Sequence, residues 1–363
     1  MKNIKETFAA RLKQKLEMKG ITNQELAYNI GVSKQVITEY LNAKSLPLTD
    51  KQKAIAKFLN TNINFFFNPI KYTFSKMEYR AKESMLREYE KKMIESTVKY
   101  KVENYIYILE KLKETPTIFN LSYNVDNESQ IKLAAEKLRE EWKLGKQPIS
   151  SLTELIESKG ILLVYIKTRD KFDGVSGFLI GNPPNNTNYP YIAIKEIDKD
   201  TNKCRLRFSL AHELAHLYLN IQNTNVPKTI NKYCDTFASE FLLPESELLE
   251  EVKSMDFSKF KELPINLLLN IQYKWGISVE AIVYKLNALK LITRNQYEKF
   301  WMWHNKDENQ NMIKKFGYCN NSEISFTMKN YILAAKERGI IQDWLANELL
   351  TITAIKEPII SNN

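Results

Sequence analysis

The segment RFSLAHELAHLYL (207–219) contains two of the three histidines in this 363-residue chain. They are His212 and His216, four residues apart, with Glu213 between them. Residues four apart on an α-helix share a face, so the two imidazoles can bind one metal ion. A bound Zn²⁺ lowers the pKa of its water to about 7, and the Glu213 carboxylate can take the proton as that water attacks a peptide carbonyl. The spacing therefore predicts a zinc hydrolase.

A helix whose histidines have no special role could show the same five-residue pattern by chance. Two observations favour a metal site: histidine is scarce in the rest of the chain, and the motif lies among leucines and alanines. We therefore predict Zn²⁺ as the cofactor, with His212 and His216 as ligands and Glu213 as the catalytic base.

The segments around the motif indicate an α+β fold that is predominantly helical. Upstream lie an amphipathic helical segment, SQIKLAAEKLREEWKLG, and three strand-like stretches, ILLVYI, GVSGFLIG and YIAIKEI. Residues 182–190, NPPNNTNYP, have the composition of a loop. We expect a small sheet with helices on one face. We also expect 191–197 to be an edge strand, beside which an extended substrate could add a strand of its own.

The first 60 residues have the pattern of several short helices. Thr22 and Glu25 form an S/T-x-x-E capping box, Gly31 ends that helix, and Ser33 can cap the next one. Two short helices joined by a turn containing glycine are typical of a helix-turn-helix. Residues 1–115 contain 22 Lys and Arg against 13 Asp and Glu, so nine of the ten net positive charges lie there. Such an excess suits a polyanion such as DNA.

The segment TNQELAYNIGVSKQVITEYLNAKSLP (22–47) resembles the helix-turn-helix of XRE-type, phage-repressor-like regulators. The resemblance implies double-stranded operator DNA as a partner, read by side chains of the second helix, with a lysine reaching a phosphate. The candidate DNA-binding residues are Ser33, Lys34, Gln35, Thr38, Glu39 and Lys44. Alternatively, residues 1–60 form a protein-interaction module, and operator binding would then not depend on Lys34 or Gln35.

Two further runs, RLRFSLAHELAHLYL (205–219) and CDTFASEFLLP (234–244), resemble the ImmA/IrrE family of zinc metallopeptidases. WGISVEAIVYKLNALKLI (275–292) is similar to the helical segment that follows the peptidase core in members fused to an XRE-type domain. The resemblance implies a zincin-like domain that cuts a transcriptional repressor or another regulatory protein.

The resemblance also implies a third zinc ligand, a glutamate on the next helix. Alignment on Phe237 and Ala238 places Asn231 at that position and Asp235 one turn further along. The third metal ligand is therefore expected to be Asn231 or Asp235. Because a neutral amide is a poorer donor to zinc than a carboxylate, we expect a reduced metal affinity. Glu240 is less suitable, since it points about 180° away from Asn231 on an ideal helix.

We expect four successive parts of the chain. They are a five-helix helix-turn-helix domain (1–68), a helical linker (69–125), a metallopeptidase domain with a small β-sheet (126–250) and a helical C-terminal region (251–363). Within the linker, TVKYKVENYIYILEKLK (97–113) is interpreted as a helix packed on the next domain, or as the seam of a homodimer.

The location of the protein and the state of its cysteines follow from composition. No apolar run approaches the roughly 20 residues that span a bilayer, and the N-terminus lacks a signal-peptide pattern, so we expect a cytoplasmic protein without a membrane partner. Cys204, Cys234 and Cys319 are widely spaced and form no CxxC pair. This spacing argues against both a disulfide framework and a thiolate zinc site.

Two functions remain open. The first is a DNA-binding regulator fused to a zinc-dependent endopeptidase that cleaves a repressor or other regulatory protein. The second is a helix-turn-helix repressor or antitoxin-like regulator whose degenerate peptidase domain only senses a signal or binds a partner. The replacement Glu213→Gln separates them, because it should abolish cleavage in the first case and change nothing in the second.

Overall fold

The chain forms two compact units, each assembled from separate segments. The structure, a computed structural model, describes residues 3–79, 87–114, 119, 121–168, 172–181, 187–196, 202–222, 224–316, 323 and 325–353. The first unit comprises Met1–Phe119, Lys159–Glu196 and Phe326–Ile355, and the second comprises Asn120–Ser158, Ile197–Ser325 and Lys356–Asn363. Cys319 and most of the predicted loop 182–190 lie outside the described residues.

The described residues form helices and strands of the following bounds. The helices are α1 (Ile4–Lys19), α2 (Asn23–Ile30), α3 (Lys34–Leu41), α4 (Thr49–Phe58), α5 (Glu88–Leu112), α6 (Glu128–Glu141), α7 (Leu152–Ser158), α8 (Lys203–Tyr218), α9 (Pro227–Leu242), α10 (Glu245–Val252), α11 (Ile265–Trp275), α12 (Val279–Ala288), α13 (Arg294–His304), α14 (Asp307–Phe316), α15 (Thr327–Glu337) and α16 (Asp343–Thr353). The strands are β1 (Tyr72–Phe74), β2 (Glu78–Tyr79), β3 (Tyr123–Val125), β4 (Leu162–Ile166), β5 (Gly174–Gly181), β6 (Asn188–Lys195) and β7 (Leu219–Ile221). The α+β fold class with a helical majority is confirmed.

The first unit begins with the predicted helix-turn-helix bundle. Helices α1 to α4 are followed by a short 3₁₀ helix, Ile63–Phe67, which gives the five helical segments expected. The capping box of α2 joins Thr22 and Glu25, and Gly31 ends the helix in the left-handed conformation at φ 64°. The Ser33 side chain accepts a hydrogen bond from the Val36 amide and so caps α3. Local capping chemistry thus places α2 and α3 as predicted.

A mixed sheet forms the second part of this unit. Its strand order is β1-β5-β6-β4, and β2 also pairs with β5. Strand β6 runs antiparallel to β5 and parallel to β4. The prediction that 191–197 is an edge strand was therefore wrong, because β6 uses its backbone groups on both sides and a substrate strand cannot be added there.

Helix α5 connects the bundle to the sheet within the first unit, where it packs against α1 and β4. Its residues Val98, Val102 and Ile108 are fully buried, so its apolar face is used inside this unit. The segment predicted as a helical linker also contains the short strands β1 and β2, which the sequence pattern did not indicate. They pair with β5, a strand about 100 residues further along the chain, and so no local signal marks them.

The second unit is built around helix α8. Helices α7 and α9 pack against α8, α6 packs against α9, and the short strands β3 and β7 pair in parallel. Leu206, Leu210, Leu214 and Leu217 of α8 are all buried. The polar residues Arg207, His212 and Glu213 of the same helix are buried as well, so α8 lies in the core of this unit. Among the described residues, no helix of either unit has the length and apolar character needed to cross a membrane.

Candidate metal centre

Helix α8 is held in position by a buried arginine one and a half turns before the histidine pair. Arg207 is fully buried; it donates to the Glu323 carboxylate and, over 2.8 Å, to the carbonyl oxygen of Ile149. Glu323 also accepts from the amide of Thr153, at the start of α7, over 2.9 Å. A buried charge needs such partners, and these contacts join α8 to α7 and fix its position along its own axis.

The two histidines of the H-E-x-x-H motif converge as their spacing predicts. The Nε2 atoms of His212 and His216 lie 3.2 Å apart. His212 is almost completely buried, whereas His216 is partly exposed. Burial is the main cause that lowers the pKa of His216, to about 3, and the nearby charge of His212 is the second cause. Neutral imidazole, the form that binds metals, is therefore the stable state of this ring.

Helix α9 brings Asn231 and Asp235 to opposite nitrogens of the same imidazole. Asn231 Oδ1 lies 3.2 Å from His212 Nε2, and Asn231 Nδ2 donates to the Pro227 carbonyl oxygen over 2.9 Å. Asp235 Oδ1 lies 2.8 Å from His212 Nδ1. A carboxylate at Nδ1 orients a histidine and leaves Nε2 available for a metal. Asn231 therefore lies on the Nε2 side of His212, and Asp235 lies on its Nδ1 side.

A cysteine that sequence reasoning set aside also lies at this centre. Cys234 is fully buried, and its Sγ atom and the donor atoms of His212 and His216 all lie within 4.8 Å of one another. Sequence reasoning missed it because it sought paired cysteines, whereas a single thiol joins the two histidines here. The available signal was its helical spacing, three residues beyond Asn231, which places the two side chains on neighbouring positions of one helix surface.

These donor atoms fit a tetrahedral metal ion. Two ligands at about 2.05 Å from zinc lie roughly 3.3 Å apart in tetrahedral geometry, and the separations of His212 Nε2 from His216 Nε2 and from Asn231 Oδ1 are both 3.2 Å. A nitrogen and a sulfur ligand lie roughly 3.6 Å apart, and Cys234 Sγ lies within 4.8 Å of the donor atoms of both histidines. The second unit thus offers two imidazoles with an amide and a thiol as further donors.

Two glutamates of helices α8 and α9 have different surroundings. Glu213 follows His212 on α8 and is fully buried. Glu240 lies on the other side of α9, as its spacing from Asn231 predicts. It accepts from Lys285 Nζ over 2.7 Å and from the Glu245 amide over 2.6 Å. Glu240 therefore has a structural role, and Glu213 is the carboxylate next to the histidine pair in sequence.

Most of the side chains predicted to contact DNA lie on the open surface of α3 and beyond its C-terminal end. Among the predicted residues, Lys34, Gln35, Thr38 and Lys44 are exposed, whereas Glu39 is half-buried. The Thr38 hydroxyl donates to the Lys34 carbonyl oxygen over 3.0 Å. Exposed polar groups on the second helix of such a bundle are positioned to enter a major groove.

Comparison with known protein families identifies the class of each part. Residues 12–66 match the helix-turn-helix family model, and residues 159–287 match the IrrE N-terminal-like domain model of peptidase M78. The chain therefore combines a DNA-binding helix-turn-helix domain with a peptidase M78-like domain, as the resemblance implied. A search of curated proteins gives no match.

Proposed function

We propose that this protein is a DNA-binding transcriptional regulator fused to a zinc-dependent endopeptidase that cleaves a repressor or another regulatory protein. The 3.2 Å separation of the two Nε2 atoms in the M78-like segment supports this proposal most strongly. In the proposed site, His212 and His216 hold Zn²⁺ together with a donor from α9. Glu213 is the catalytic base, and Asp235 orients His212 through Nδ1.

Each residue of this site has a separate task. When bound, the metal polarises a substrate carbonyl and makes water nucleophilic at neutral pH. His212 and His216 present their Nε2 atoms, 3.2 Å apart, as donors to the metal. Glu213 accepts a proton from the attacking water and can return it to the leaving amine. Full burial of Glu213 excludes bulk water, which strengthens its electrostatic effect on the reaction.

Cleavage can be tested without knowing the substrate. A host lysate is incubated with the wild-type protein or with Glu213→Gln, and the new protein N-termini are identified by mass spectrometry. We expect N-termini that only the wild type produces and that a chelator suppresses. Glu250→Gln is the matched control, because Glu250 is an exposed glutamate of the same unit that pairs with Lys253.

A non-proteolytic sensor is the second candidate function, and Asn231 is the observation that favours it. A neutral amide stands where the family pattern has a carboxylate ligand, and a weaker metal site can lose catalysis while the fold persists. This alternative predicts identical N-termini with wild type and Glu213→Gln. Less than about a tenth of an equivalent of zinc in protein purified without chelator would also support it.

DNA recognition is tested on an operator selected from random duplexes. Gln35→Ala should weaken binding to the selected site by about 1–3 kcal/mol and relax specificity at one base pair, whereas Lys44→Ala should weaken all duplexes and lower the salt slope by about one. Lys13→Ala, on the exposed surface of α1, controls for loss of charge. Equal affinity in wild type, Lys34→Ala and Gln35→Ala would favour the protein-interaction module.

A further inference from the structure

Helix α9 places a thiol close to the histidine pair, in a centre where the other nearby α9 donor, Asn231, is uncharged. Cys234 Sγ belongs to a group of donor atoms, with those of His212 and His216, that lie within 4.8 Å of one another. The only aspartate nearby on α9, Asp235, reaches the opposite nitrogen of His212. Among the described residues of α9, Cys234 is therefore the side chain that can add a negative charge within 4.8 Å of the donor atoms of both histidines.

The charge of the centre makes an anionic ligand important. Two imidazoles and an amide leave the full charge of a Zn²⁺ ion uncompensated, and His212 and Cys234 are both buried. Transfer of an uncompensated charge into such surroundings is costly. Thiolate is a strong zinc ligand, with a Zn–S distance of about 2.3 Å, and one thiolate restores the charge that a glutamate would have supplied.

We propose that Cys234 is the anionic third ligand of the metal and takes the place of the missing glutamate. The proposal rests on the metal centre described under the proposed function. His212, His216 and Cys234 hold the ion, one position remains for water, and the Asn231 amide lies beside it without carrying charge. Metal binding releases the proton of the Cys234 thiol to solvent. The sulfur ligand makes the centre selective for Zn²⁺ and Co²⁺ over Mg²⁺ and Mn²⁺.

Titration of the full-length apoprotein with Co²⁺ tests the ligand directly. Visible absorption bands of tetrahedral Co²⁺ report the metal centre, and a near-ultraviolet sulfur-to-cobalt charge-transfer band reports the thiolate. We expect both in the wild type. Cys234→Ser should lose the near-ultraviolet band and bind Co²⁺ more than about 100-fold more weakly, since an outer partner alone contributes 10–100-fold. Asn231→Ala should keep the band and bind Co²⁺ less than about tenfold more weakly, because the amide is not a ligand.

The double variant Cys204→Ser/Cys319→Ser makes the test independent of any folding defect in Cys234→Ser. Cys234 is then the only cysteine in the chain, and a retained near-ultraviolet band must come from it. Visible bands without a near-ultraviolet band in the wild type would overturn the thiolate ligand and leave the metal centre standing. Retention of the band in Cys234→Ser would also overturn it. Absence of any Co²⁺ binding would overturn both the ligand and the proposed metal site.

Discussion

The hydrogen bond between Asp235 and His212 leads to a quantitative prediction about metal affinity. Its length of 2.8 Å is that of a charge-assisted bond, which contributes about 1.5–3 kcal/mol when shielded from water. The Asp235 side chain is 52% exposed, so we take about half of that energy, roughly 0.8–1.5 kcal/mol. Since about 1.4 kcal/mol corresponds to a factor of ten, Asp235→Asn should weaken zinc binding by a factor of about four to ten. Asp235→Ala, which also removes the acceptor, should weaken it by up to about 100-fold.

The measurement is competition for Zn²⁺ between the apoprotein and a chromophoric chelator, with circular dichroism to establish that each variant is folded. Asp256→Asn is the matched control, because Asp256 is an exposed aspartate of the same unit whose carboxylate bonds to Ser258 instead. Wild-type affinity in folded Asp235→Ala would refute the orienting role. Equal loss in Asp256→Asn would show that the effect comes from general charge.

Three further predictions concern stability and the metal ligands. Gly276 and Gly145 have φ of 65° and 59°, but a Cβ at Gly276 would lie 2.5 Å from Arg207 Nε, whereas one at Gly145 meets nothing within 4 Å. In urea unfolding, Gly145→Ala should therefore lower the free energy of unfolding by about 1–2 kcal/mol, and Gly276→Ala should lower it by about 1–3 kcal/mol more. Equal losses in the two variants would contradict the clash with Arg207. Burial lowers the pKa of Lys101 from 10.5 to about 7, so the buried charge destabilises the fold fully below pH 7 and progressively less towards pH 10.5. Over that range the free energy of unfolding of the wild type, relative to Lys101→Met, should rise by up to about 1.4 kcal/mol per pH unit. Parallel pH profiles of the two proteins would contradict this. Asn231→Glu should change zinc affinity less than about tenfold, roughly 1.4 kcal/mol, in the same chelator competition, because Cys234 already supplies the anionic ligand, and a larger gain would contradict that assignment.

Sequence reasoning was most successful where the signal is local. The bounds of α2 follow from the bond between Thr22 and Glu25 and from the left-handed Gly31, all within ten residues. The pairing of His212 with His216 follows from helical geometry alone. Strands β1 and β2 were missed and β6 was placed at the wrong position in the sheet, because strand partners are chosen by long-range packing that a short pattern does not encode.

The sequence by itself determined which chemical groups this protein has for a metal: two imidazoles one helical turn apart, a neighbouring glutamate, and an asparagine where a carboxylate is expected. Only the tertiary structure decided the position of each group around the ion. The rotation and height of α9 against α8 put Asp235 behind His212, Asn231 beside Nε2, and the Cys234 thiol close to both histidines. The packing of two helices depends on side chains along their whole length, and the spacing of residues within either helix does not specify it.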